Sequence, residues 1–195
     1  MAVIEDGTGT GKQAKVNSRN RMVTQAVSTS SALQATIDGT AWNINTGDVT
    51  LTSNAVAACI YFKNTSETLD FVLPAFAIGL GNLSGTLTTP HTVTIIKNPT
   101  TGTIVSGAVD CDMIVNRDFA QSDTITGLAY KGGQANTFTN GTDIAQFYMT
   151  GNGRLFAGID FVIPPAKSVG INIKLNATSG GSIYAALIGY YNPAA

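Results

Sequence analysis

A chain of 195 residues with a formal net charge of −1 is long enough for one large domain with a real core. It has no global electrostatic reason to seek DNA or RNA, which demands a clustered positive footprint. Its hydrophobic share of 44% is ordinary, but the charged share of 12% is about half the usual one, and Thr, Gly, Ser and Asn take up the difference, which favours sheet over helix.

Residues 1–35 read as an extended N-terminal arm and residues 36–195 as the folded domain. The start, Met1-Ala-Val-Ile-Glu-Asp6, lacks the basic and apolar regions of a secretory signal, and no apolar run reaches membrane-spanning length. The expectation is a soluble protein made in a cytosol, with no membrane partner. Asp6 to Arg21 is polar and Gly-rich and carries Lys12, Lys15, Arg19 and Arg21 against only Glu5 and Asp6 upstream. Such a segment cannot bury enough apolar surface to fold alone, so it is expected to order on a partner. Gly7-Thr-Gly-Thr-Gly-Lys12 is not a phosphate loop. Asp6 stands where a Walker A loop needs Gly, Gln13 where it needs Ser or Thr, and Lys12 occupies the third Gly position of the dinucleotide fingerprint.

Val23 to Leu33 suits either a strand or a short helical turn. From Trp42 onward, short β-type runs are separated by Gly, Asn, Pro and Ser clusters. Trp42–Leu51 holds two runs broken at Thr46-Gly47, and Ala55–Lys63 is a strand ending at Asn64. Leu69–Leu80 is interrupted by Pro74, which predicts an edge, a bulge or a change of sheet. His91–Lys97 is followed by Asn98-Pro-Thr-Thr-Gly102 and Thr103–Ser106, read as a hairpin with a long loop. Further strands are expected at Val109–Val115, Thr124–Tyr130, Ala145–Met149 and Leu155–Ile163, the last stopped by Pro164-Pro165. Ser168–Leu175 alternates cleanly from Val169, predicting one wet and one buried face. Ser182–Tyr191 closes the chain. Eight to ten strands with many non-tight connections predict an all-β, jelly-roll-like antiparallel β-sandwich, or a related Greek-key sandwich.

Residues that could carry chemistry are few. His91 is the only histidine, too few for a multi-His metal centre, and no motif picks out a nucleophile for it. It is expected at a strand entrance, facing solvent or a subunit neighbour. Cys59 and Cys111 lie in apolar runs without a Cys-x-x-Cys spacing and are expected as reduced, buried thiols. Asp110 and Asp112, on one strand, would share a face about 6.5–7 Å apart, near the spacing of paired glycosidase carboxylates. A cation site from Asp110, Asp112, Asn116 and Asp118 departs from the EF-hand loop, with Val115 where Gly is needed. The expectation is no enzyme, no cofactor and no metal. Among Tyr130, Phe138, Phe147, Tyr148, Phe156, Tyr184, Tyr190 and Tyr191 a sugar-stacking platform is conceivable, although such residues more often fill a sandwich core.

The run from Asp6 to Ser28, with Ala14-Lys-Val16 followed after four residues by Arg21-Met22, resembles the N-terminus of a group of tailed-bacteriophage virion structural proteins. In that group a Gly/Thr arm of pattern Ala-Lys-Val-x-x-x-x-Arg-Leu leads into a β-sandwich. Met22 replaces the usual Leu at similar volume. Ala41–Gly47, Tyr61–Asn64, Val115–Phe119 and Ala186–Tyr191 are similar in style to runs in those bodies. The resemblance implies a virion location and a capsid decoration (cement) protein or another head- or neck-associated part, assembled with itself as a homotrimer. Its partner would be the major capsid protein or another virion protein, met by the arm through Lys12, Lys15, Arg19 and Arg21. A neck, baseplate or fibre component and a carbohydrate-binding module stand as alternatives.

Overall fold

A computed structural model describes residues 30–52, 55–81, 90–106, 109–134, 136–150, 153–176 and 180–193. The chain divides into two units, residues 1–30 and 31–195, and the second is described here. The arm residues Lys12, Lys15, Arg19 and Arg21 lie outside the described residues. In chain order the elements are α1 (Ser31–Ile37), β1 (Ala41–Asn45), β2 (Val49–Leu51), β3 (Val56–Asn64), β4 (Leu69–Gly81), β5 (His91–Lys97), α2 (Thr103–Ser106), β6 (Val109–Asp110), β7 (Met113–Asn116), β8 (Gly127–Gly133), β9 (Thr142–Met149), β10 (Arg154–Ile163), β11 (Ser168–Lys174) and β12 (Gly181–Pro193). The expected boundary after residue 35 falls inside α1, which lies against β1 and β12.

The strands form two antiparallel sheets, which bears out the all-β sandwich. The first has the order β10-β4-β12-β1-β7, with β2 also pairing with β12; the second has the order β6-β8-β3-β11-β5-β9. The long strands pair in nested fashion, β1 with β12, β3 with β11, β4 with β10 and β5 with β9. At the centre of that nest, residues 98–141 supply α2 and the strands β6, β7 and β8, which extend both sheets beyond β1 and β3.

Alternation puts one row of each strand between the sheets. Trp42 and Ile44, Val93 and Ile95, Val169, Ile171 and Ile173, and Ile183, Ala185 and Leu187 all join one buried cluster. Aromatic rings bridge the layers: Phe62 meets Phe71 at 4.4 Å between centroids, and Phe76 meets Phe147 at 5.4 Å. Phe62, Phe71 and Phe76 are fully buried, and each contributes about 1.5–3 kcal/mol from leaving water.

One polar residue stitches the layers. Asn64 is fully buried at the end of β3 and donates from Nδ2 to the carbonyls of Leu69 (2.8 Å) and Ile163 (2.9 Å), both in the first sheet. Its Oδ1 accepts from the Ser66 N–H, and its backbone exchanges bonds with Ala166 and Lys167 in the turn after β10. That turn closes from Lys167 N–H to the Pro164 carbonyl, with Ala166 at φ 62°, the type II geometry that Pro165 pre-sets.

Several expectations are corrected. Thr103–Ser106 is a helical turn and not a hairpin strand, because β5 is already paired on both sides, with β11 and β9. Its Ile104 is buried instead beside Ala58 and Tyr61 on the outer face of the second sheet. The run Val109–Val115 is two strands in different sheets, β6 and β7, the chain crossing between layers at Cys111-Asp112. The outer face of β11 is not wholly wet: Ser168 and Gly170 are buried, and a Cβ on Gly170 would sit 2.3 Å from the Phe138 ring. Pro74 marks a bulge, since both neighbours of β4 shift register beside it, and its missing N–H breaks no regular ladder there.

Candidate functional site

The residues singled out for chemistry do not converge among the described residues. Asp110 and Asp112 do not share a strand face: Asp110 pairs opposite Tyr130 in the second sheet, while Asp112 lies in the crossing segment and forms an ion pair with Lys131. Asn116 is occupied as well, its Nδ2 donating to the Gly39 carbonyl and its Oδ1 accepting from the Asp118 N–H. No group of three or more His, Cys, Asp or Glu placed to hold a metal ion occurs among the described residues.

His91 faces neither solvent nor an open entrance; it is fully buried, in the inward row of β5 with Val93 and Ile95. The Asn176 N–H donates to its Nδ1 at 3.0 Å, so the neutral ring carries its proton on Nε2, which has no hydrogen-bond partner among the described residues. Burial pushes its pKa below the usual histidine value. The unfolded chain therefore binds more protons below about pH 6.5, so stability is lost as pH falls through the unfolded value. Unfolding free energy measured at about pH 7.5 and 5.5 should drop more for the native sequence than for His91→Asn, whose Oδ1 can replace the Nδ1 acceptor.

Cys59 and Cys111 are buried free thiols. Burial raises both, Cys59 well above the ordinary thiol range and Cys111 up to about 12, where the Asp112 and Asp110 carboxylates add to the effect. A thiol reagent at about pH 8 should label neither in the native protein and both after unfolding.

The aromatics are spread over three places and form no single platform. Phe147 and Tyr191 are inside, Tyr191 meeting Phe71 at 5.0 Å and donating its hydroxyl to the Thr126 carbonyl. Tyr130 and Phe138 close over Tyr61 on the outer face of the second sheet. Phe156, Tyr184 and Tyr190 belong to the outer face of the first sheet, with Tyr184 lying across Gly79, where any Cβ would be 2.1 Å from the ring.

That outer face is the most distinctive surface of the described unit. Register sets Phe156, Ala77, Ala186, Asn45 and Met113 in one row and Gly158, Ala75, Ile188, Asn43 and Val115 in the next. Val162, Val72 and Tyr190 follow. Phe156 is 68% exposed, Val162 55%, Met113 53% and Val115 46%. A sheet face that leaves large apolar groups in water beside alanines and glycines has the character of an interaction surface. Sequence reading missed it because its members lie on β10, β4, β12, β1 and β7, adjacent only through register.

Edge strands β9 and β10 border a second feature, a cleft of about 660 Å³ lined in part by Ile144, Phe161, Val162 and Pro164 with Lys97 and Lys167. No protein-family model matches the chain, and no curated protein and no solved structure matches it.

Proposed function

We propose that this chain is a non-enzymatic virion structural protein of the tailed-bacteriophage kind, a capsid decoration (cement) protein that binds the assembled head as a symmetric oligomer, a trimer. The observation that carries the reading is the exposed apolar outer face of the first sheet, with Phe156, Val162, Met113 and Val115 in water. Interfaces between copies of one chain are more apolar and poorer in charge than the remaining surface, and this face has that composition, so a second copy is its occupant. The sandwich then makes the oligomer, and the arm with Lys12, Lys15, Arg19 and Arg21 lies on acidic capsid surface.

The nested strand order supports reading the sandwich as a jelly roll. β1, β12, β4 and β10 lie side by side in one sheet and β3, β11, β5 and β9 in the other, as when one long antiparallel hairpin is wrapped into two layers. That architecture hosts capsid proteins, lectins and enzymes alike, so it supports the fold and leaves function to the surfaces. A decoration protein acts by mass action: binding the assembled shell and not its free subunits stabilises the shell by the binding free energy, multiplied over many copies.

Deleting residues 1–28 tests the division of labour. The truncated chain should remain a folded oligomer and no longer sediment with shells that the full chain coats. Equal binding by both would remove the arm from the proposal.

A further inference from the structure

A second face carries chemistry of the opposite kind. On the outer side of the second sheet, register aligns Asn172 of β11 with Thr94 of β5 and Gln146 of β9, and Lys174 with Thr92 and Tyr148 in the neighbouring row. Asp143 and Val56 complete the wall of a cleft of about 350 Å³. Strands about 4.8 Å apart set these side chains as a regular tray of hydroxyl and amide groups. Asn172, on the interior strand β11, has its Oδ1 buried and without a hydrogen-bond partner among the described residues. A buried acceptor left unpaired is costly, and a turn of the Asn172 amide about its last bond would bring it to a donor in the cleft.

We infer that this tray binds a neutral oligosaccharide. A sugar hydroxyl is donor and acceptor at once, which is what a floor of Asn172, Thr92 and Thr94 with Gln146 at its side can use from either end. With one lysine and one aspartate in its lining, the cleft has no clustered positive charge of the kind that phosphates or nucleic acids require. Tyr148 is 66% exposed at its edge, its hydroxyl donating to Gln146 Oε1 at 3.2 Å, and its ring offers an apolar face for the C–H side of a pyranose. This inference is independent of shell binding, because the tray lies on the sheet opposite the proposed oligomer face.

The test uses the full chain against an immobilised panel of neutral hexose and N-acetylhexosamine oligosaccharides, with thermal unfolding as the check on folding. At least one probe should bind, little affected by salt between about 0.1 and 1 M. Tyr148→Ala and Thr94→Val, both at partly or largely exposed strand positions, should each weaken binding roughly tenfold while leaving the unfolding midpoint in place. Phe156→Asp, on the other sheet, should bind the same probe free in solution with the per-site affinity of the native chain. The inference is overturned if no probe binds at millimolar concentration, if both cleft variants bind as tightly as the native chain, or if salt abolishes binding. Shell attachment, read separately by sedimentation, is untouched by any of these outcomes.

Discussion

Asn64→Ala should lower the unfolding free energy by about 3–5 kcal/mol, the largest loss expected from a single polar side chain in this protein. The substitution leaves the buried carbonyls of Leu69 and Ile163 and the Ser66 N–H without the partner that now serves all three. Each unpaired buried group costs about 1–3 kcal/mol, and alanine opens a small void besides. For a chain of this size the loss corresponds to a fall in melting temperature of roughly 6–20 °C, measurable by calorimetry. Asn64→Asp should fare as badly, since its carboxylate keeps the acceptor toward Ser66 but turns lone pairs toward two carbonyls. An alanine variant within about 1 kcal/mol of the native chain would show that the two sheets do not depend on this junction.

Phe156→Asp should break the proposed oligomer while leaving the single chain folded. Phe156 projects from β10, an edge strand, and is already 68% exposed, so the substitution removes little that stabilises the isolated unit. In the assembly the same position would bury an unpaired carboxylate in an apolar face, which costs far more than the lost contact. Association should weaken by at least about thirtyfold, the equivalent of 2 kcal/mol, and the variant should run as a single chain in light scattering where the native protein should run as an oligomer. An oligomer of unchanged mass in the variant would move the interface elsewhere on the molecule.

The strands of this protein are largely legible in its sequence because most of them have one buried and one more exposed row, although β3 and β11 are covered on both faces. His91–Lys97 is matched to the residue, and the break at Thr46-Gly47 coincides with an Asx turn in which the Gly47 N–H donates to Asn45 Oδ1. Where reading failed, the deciding force was non-local. Thr103-Ile-Val-Ser106 has strand propensity, but the strand before it, β5, is already paired with β11 and β9, and Ile104 is buried against Ala58 and Tyr61. The crossing between β6 and β7 leaves little mark in Val109–Val115, because β6 is only Val109-Asp110, both exposed, and has no buried row to set it apart from β7. His91 was the exception that could have been read: it shares the parity of Val93 and Ile95, and that parity, more than its place after Pro90, set its burial.

The two candidate faces were invisible for a related reason. Phe156 is far from Met113 and Val115 in the chain, as Thr94, Gln146 and Asn172 are from one another, and only the register of the paired strands brings them onto one face. The cationic part of the expected arm lies outside the described residues, so it stands on composition alone, four cations among glycines and threonines, and its role in the proposal rests on its resemblance to virion arms.

Copy number per particle tests the central claim most directly. In a stained gel of purified particles that contain this protein, band intensity calibrated against the major capsid protein should give hundreds of copies, in a fixed ratio to the shell subunits. A count of a few to tens would contradict head decoration and place the chain in a neck, baseplate or fibre.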